Sequence, residues 1–191
     1  MPLPKCVRVL EDDTQSREAL EGDGWRYVET LVEMKRETGK LSYENVDIDV
    51  GSKLSRHLRE KIVEMARENL GPNRFVEDEH ISLKYAQKIR EVWVKNWNLK
   101  ILISTHPQDH SPTGFLLPKN GRLVLVAVDE SHRRAGIGKQ LVSAFITEAW
   151  REELESVRLG TQESNIPALA LYRDMGFRTY RRRVTYHKDA S

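Results

Sequence analysis

Leu123 to Val142, reading LVLVAVDESHRRAGIGKQLV, constrains this chain more than any other stretch. Leu123–Val128 is an unbroken apolar run, as expected of a central strand covered on both faces. A polar turn follows, with Gly136 and Gly138 at the mouth of a helix running from about Ile137 to Trp150. Ile137, Leu141, Val142, Phe145, Ile146 and Ala149 form one apolar stripe along it. Such a passage aims unpaired backbone N–H groups, and the positive end of the helix dipole, at whatever lies over the loop. Without side chains, Gly136 and Gly138 let a diphosphate approach closely, and Arg133, Arg134 and Lys139 add charge beside it.

Two familiar phosphate loops are excluded by single positions. The P-loop needs a glycine where Arg133 stands and Ser or Thr where Gln140 stands. The dinucleotide fingerprint needs a third glycine at Leu141. A second patterned segment follows at 157–177: a short strand, Gly160-Thr161-Gln162, Asn165 at a helix start, the pair Leu171-Tyr172, then Gly176-Phe177. Locally, Asn165 is a good N-cap ahead of Pro167, and Gly176 a good helix terminator.

Arg133-Arg134-Ala135-Gly136-Ile137-Gly138 resembles the (Gln/Arg)-x-x-Gly-x-(Gly/Ala) loop of the GNAT N-acetyltransferases, and 157–177 resembles their second motif at the expected distance. The resemblance implies an α/β (α+β) fold, a central mixed, mostly antiparallel sheet flanked by helices. It implies acetyl-CoA as co-substrate and a primary amine as acceptor, with no metal. Carried over residue by residue, the backbone of Val126, Ala127 and Val128 would pair with the pantetheine arm. The turn Arg133, Arg134, Ala135, Gly136, Ile137, Gly138 and Lys139 would take the pyrophosphate, and Asn165 would face the cofactor. Tyr172 would return a proton to the leaving thiolate, a task for which a phenol near pKa ~10 is suited. Leu123–Val128 carries no carboxylate, so Asp129, Glu130, Glu163 and a water chain all stand open as the general base.

The likeness extends toward amino-sugar-nucleotide N-acetyltransferases of the dTDP-fucosamine kind. It rests on Arg74-Phe75-x-x-Asp78 ahead of an Ala86…Trp93 helix, on Gly160-Thr161-Gln162…Asn165, and on Trp25-Arg26-Tyr27-Val28-Glu29-Thr30. Arg74 and Asp78 are the acceptor contacts this implies; a turn with a surface ion pair is the competing reading. An acetyltransferase acting on peptides or other small amines, and a non-catalytic acyl-CoA sensor, also fit the motifs. The resemblance admits a homodimer.

One feature is internal. Leu20-Glu21-Gly22-Asp23-Gly24-Trp25-Arg26 echoes Leu171 to Arg178, and Val7-Arg8-Val9 echoes Val157-Arg158-Leu159. Residues 1–42 are therefore expected to be a partial GNAT-like strand–helix–strand half, with Glu21 where Tyr172 stands, beside an acetyltransferase domain at 43–191. Relatives of the sugar-nucleotide kind carry extra N-terminal sequence, so a start later than theirs is expected.

Further strands are expected at 7–10, 25–34, 46–50, 99–104, 114–117, 156–159 and 177–186. Further helices are expected at 16–20, 52–70, 82–97 and 166–175. Asn120-Gly121 marks a hairpin turn. Lys+Arg 31 against Asp+Glu 29 gives a charge of only +2, which argues against a dedicated nucleic-acid partner. The dense basic stretch, Arg178 and Arg181–Arg183, reads as a solvated strand edge. A single cysteine, Cys6, excludes a disulfide framework. No apolar run nears the ~20 residues of a membrane helix, and MPLPKCVRVLEDD holds no signal-peptide core. A soluble, cytoplasmic protein is expected.

Overall fold

The computed structural model describes residues 3–69 and 71–189. Leu70, the last position of the expected helix 52–70, and the terminal residues of the segments 1–42 and 43–191 lie outside them. The strands are β1 (Lys5–Leu10), β2 (Arg26–Glu37), β3 (Val46–Val50), β4 (Lys100–Thr105), β5 (Pro112–Lys119), β6 (Arg122–Val128), β7 (Ser156–Gln162) and β8 (Arg178–Lys188). They form one sheet in the order β1-β8-β2-β7-β6-β5-β4-β3. Only β6 and β7 pair in parallel; all other pairings are antiparallel. The helices are α1 (Thr14–Gly22), α2 (Arg56–Glu68), α3 (Leu83–Lys95), α4 (Ile137–Arg151) and α5 (Ile166–Asp174). None is long and apolar enough to cross a membrane.

Strand alternation divides the core in two. On β4 and β5, Leu102 and Leu116 face Leu141, Val142, Phe145 and Ile146 of α4. Their neighbours Ile101, Ile103, Phe115 and Leu117 face Ile62, Met65 and Ala66 of α2 on the opposite side. Asn120 (φ 49°) and Gly121 (φ 68°) make the expected tight turn between β5 and β6.

One expectation is refined and one corrected. β1 pairs with β8 only from Arg183 onward, so Arg178 to Arg182 lie past the end of β1 with β2 alone beside them, the solvated edge expected of the basic stretch. Arg183 donates to Glu33 Oε1 at 2.7 Å, and Arg182 pairs with Glu11 and Glu163. The neutralising acids come from three other segments, so local pattern could not show them. The apolar run of β6, by contrast, is not covered on both faces as expected: Val124 is 42% exposed. Leu117 pairs with Leu125 and Pro118 with Leu123, which leaves Val124 as a bulge. The extra residue flips the alternation, so apolar side chains are needed on both parities of the strand.

The two strand–helix–strand pieces match in register. Helix bounds 14–22 and 166–174 differ by 152 residues at both ends. The same offset relates Asp13 N–H→Leu10 C=O to Asn165 N–H→Gln162 C=O. It also relates Trp25 N–H→Leu20 C=O to Phe177 N–H→Tyr172 C=O, and Glu11 N–H→Arg182 C=O to Glu163 N–H→Thr30 C=O. Gly24 (φ 76°) and Gly176 (φ 81°) end both helices in the left-handed region. The expected match of Glu21 with Tyr172 is off by one position: Leu20 is the counterpart. The chain order β1-β8-β2-β7 makes each piece lend its last strand to the other.

Candidate active site

β6 and β7 pair only at Arg122–Arg158 and Leu123–Leu159. Parting begins at the Val124 bulge, which bends β6 away from its neighbour. Beyond it, the β7-facing backbone groups of Val126, Ala127 and Val128 have no strand beside them. A cleft results, open to an extended ligand that offers its own amide groups.

The glycine loop sits at the end of this cleft. Gly136 is the N-cap of α4 at φ 81°, with no side chain capping the helix. The first intrahelical bond is Gln140 N–H to Gly136 C=O, so the N–H groups of Ile137, Gly138 and Lys139 remain available. A Cβ on Gly136 would meet nothing within 4 Å, whereas one on Gly138 would press on Leu171 Cδ2 at 3.2 Å. Ala135 lies between them, after Arg134 at φ 68°. Arg133 donates to Asn69 Oδ1 at 2.9 Å, and Lys139 pairs with Asp174 at 3.1 Å. Arg134 has no ion pair among the described residues.

From α5, Asn165 accepts from Ala168 N–H at 3.4 Å, capping the helix. Tyr172 is 3% exposed and stacks edge-on against Phe177 at 5.8 Å. Burial raises its phenol well above the ordinary range, correcting the expectation of a value near ~10. The proton is held more firmly than sequence implied.

Apart from Ala135, the expected cofactor-site residues line one cavity of about 990 Å³ that reaches from the cleft to residues 71–75 and α3. No aspartate or glutamate lines it. Asp129, Glu130 and Glu163, the open candidates for a base, are engaged elsewhere: with His132 at 3.1 Å, Arg133 at 3.5 Å and Arg182. The wall is cationic instead, with Arg8, Arg74, Arg90 and Arg122 toward its far end. Arg74 lies on the wall as expected, its guanidinium 4.6 Å over the Phe75 ring. Asp78 does not line the cavity. It is buried behind the wall against His187 Nδ1 at 2.7 Å and Arg26 at 3.5 Å.

Sequence reasoning missed Arg90, which burial lowers to about 10 and no ion pair among the described residues compensates. Its signal was an arginine inside the stripe Ala86, Ile89, Trp93. It also missed two buried acids of β2 that lie outside the cavity lining. Glu29 of β2 accepts from Arg8 at 3.2 Å, Thr185 at 3.0 Å and Gln162 at 2.9 Å. Glu33 lies among Arg183, Arg122 and Arg181. Nothing local marks either acid. No group of three or more His, Cys, Asp or Glu is placed to hold a metal among the described residues.

The parted parallel pair, the bulged strand and the glycine-led helix define the GNAT fold. Residues 101–177 match the model of the acetyltransferase (GNAT) family. The chain is 27% identical over 134 residues to the spore coat polysaccharide biosynthesis protein SpsD of Bacillus subtilis, covering 67% of this chain and 46% of SpsD. It is 39% identical over 75 residues to an N-alpha-acetyltransferase of Sulfurisphaera tokodaii, covering 38% and 44%. The chain thus spans less than half the length of these curated relatives. A GCN5-related N-acetyltransferase from Sphaerobacter thermophilus matches in structure with a TM-score of 0.64 at 18% identity, over 97% of this chain and 60% of that one.

Proposed function

We propose that this chain is an acetyl-CoA-dependent N-acetyltransferase whose acceptor is the primary amine of an amino-sugar nucleotide. The observation that carries the reading is the parting of β6 from β7 over a cavity with a cationic, acid-free wall. The exposed edge of Val126–Val128 takes the pantetheine arm as an added strand, and one of its N–H groups polarises the acyl carbonyl. Arg133, Arg134, Ala135, Gly136, Ile137, Gly138 and Lys139 cradle the pyrophosphate through backbone N–H groups and side-chain charge. Asn165 lines the same cleft. The co-substrate supplies a thioester. Tyr172, which burial keeps protonated through the neutral range, holds the proton for the departing sulfur.

At the other end, Arg74 and Arg90 suit the acceptor's diphosphate, and Phe75 and Trp93, 5.9 Å apart, suit a ring. With no carboxylate on the wall, water relays the amine's proton to solvent. The partial likeness to SpsD supports an acceptor of this kind. A peptide acceptor is the second reading, favoured by the N-alpha-acetyltransferase match; a wall without acids suits a basic peptide poorly. Residues 1–42 act as a structural GNAT-like half whose strand completes the sheet, while the chemistry belongs to 43–191.

Release of free coenzyme A thiol, followed with a panel of amines, tests this. Turnover is expected with dTDP-amino sugars and much less with the same amino sugars lacking the nucleotide. Turnover with peptides alone replaces the acceptor assignment. Binding of acetyl-CoA without turnover on any amine identifies a sensor.

A further inference from the structure

Although Arg74 of the cavity wall touches it, Cys6 does not line the cavity and has no part in the acetyl transfer proposed above. It stands on β1, four strands from β6, or about 19 Å at the usual strand spacing. Its side chain is exposed. Directly across the ladder stands His187 of β8, and across the next ladder Arg26 of β2. Facing residues of adjacent strands share a face, with Cβ atoms about 5 Å apart.

His187 is 0% exposed, and its Nδ1 lies 2.7 Å from Asp78 Oδ2. Asp78 is itself fixed by His80 N–H at 3.0 Å and by Arg26 at 3.5 Å. With the Nδ1 proton directed at a carboxylate, Nε2 carries the lone pair. That nitrogen is buried and has no hydrogen-bond partner among the described residues. Cys6 is the residue facing His187 across the β1–β8 ladder, on the same face of the sheet. On the sulfur's other flank, Arg74 Nη1 donates at 3.2 Å. Asp78 orients, His187 takes the proton, and Cys6 is the nucleophile, with a guanidinium beside the resulting anion.

We propose that Cys6 is a reactive thiol, activated by His187 and Asp78, that undergoes thiol–disulfide exchange with low-molecular-weight disulfides. His187 takes the thiol proton, and the Cys6 thiolate attacks one sulfur of RSSR. The new S–S bond forms as the old one breaks, and RS⁻ leaves with the electron pair, taking up the proton from His187. The product is a mixed disulfide at the edge of the sheet, next to Arg74. Burial works against the thiolate; the facing imidazole of His187 and the charges of Arg74 and Arg8 outweigh it and lower the thiol pKa. A lowered pKa leaves more thiolate at neutral pH, the form that exchanges.

Because Cys6 is the single cysteine, 5,5′-dithiobis(2-nitrobenzoate) reads this site alone, whatever the protein acetylates. The rate with wild-type protein between pH 5 and 9 is compared with that of N-acetylcysteine. A midpoint below the small thiol's is expected, with Arg74→Ala and His187→Gln each moving it up. At pH 7, glutathione disulfide should add once to the wild-type chain by intact mass. A wild-type midpoint at or above that of N-acetylcysteine overturns the proposal, and so does an unchanged midpoint in Arg74→Ala. The wild-type profile and Arg74→Ala decide the matter even if His187→Gln does not fold.

Discussion

The pieces β1-α1-β2 and β7-α5-β8 share a backbone but not a task. Both have a capped helix, a left-handed glycine and a last strand lent to the other piece. In the second, Leu169 and Tyr172 of α5 are buried, and β7 borders the cleft of β6. In the first, α1 buries no residue, and β1 pairs with β8 alone among the described residues. Leu20 stands where Tyr172 does. The fold supplies the same positions twice, and the reading offered above puts chemistry at one of them. The reason is placement: one piece lies beside a bulged strand and an uncapped helix, and the other lies beside neither.

That contrast can be broken most sharply at its central pair. Tyr172→Phe keeps the packing against Phe177 and removes the proton, so kcat should fall by about 10²–10⁴ with little change in acetyl-CoA affinity. Leu20→Ala should leave kcat unaltered and cost about 1 kcal/mol of stability at most, since Leu20 is only half-buried. An unchanged kcat in Tyr172→Phe would leave the two pieces functionally equivalent at that position. Smaller effects are expected at the shared glycines. Gly24→Ala and Gly176→Ala each force a side chain to positive φ and should each destabilise by about 1 kcal/mol in chemical denaturation. Loss at only one would mean that the two helix ends are not equivalent.

The smallest effect is a pH asymmetry between the outer ladders. At the 152-residue offset, His187 corresponds to Lys35, so the titrating group lies on the β1–β8 side. Burial alone would lower the His187 pKa; the neighbouring Cys6 thiol and the Asp78 carboxylate outweigh that and raise it. Its contribution is therefore full below the unfolded value of ~6.5 and is lost as pH rises through the folded value. After correction for intrinsic exchange rates, amides of the β1–β8 ladder should lose protection as pH rises above the unfolded value of ~6.5. Those of β2–β7 should not. Equal pH dependence in both would remove His187 as the source.

How much was legible follows the range of the interaction. Apolar periodicity located the strands and helices, often short by a few residues: 7–10 is Lys5–Leu10, and 156–159 is Ser156–Gln162. Strand ends in an interior sheet are set by partners, which a local pattern does not contain. The glycine loop and Asn165 were readable because their conformations are backbone properties of the residues themselves. Arg74 reached the cavity wall while Asp78 did not, although both came from one motif. A spacing of four does not say which side chain a turn sends inward.

By itself, then, the sequence determined the order of elements, the turn and cap positions, and the duplicated strand–helix–strand unit, since these depend on neighbours a few residues apart. Only the tertiary structure decided that β2 enters the sheet between β7 and β8, that Glu29 and Glu33 lie buried among arginines, and that Val124 opens a cleft. It likewise decided that Cys6, Asp78 and His187, up to 181 positions apart, converge at one edge. Such contacts depend on register and on the desolvation of charges that have no partner until the chain is folded.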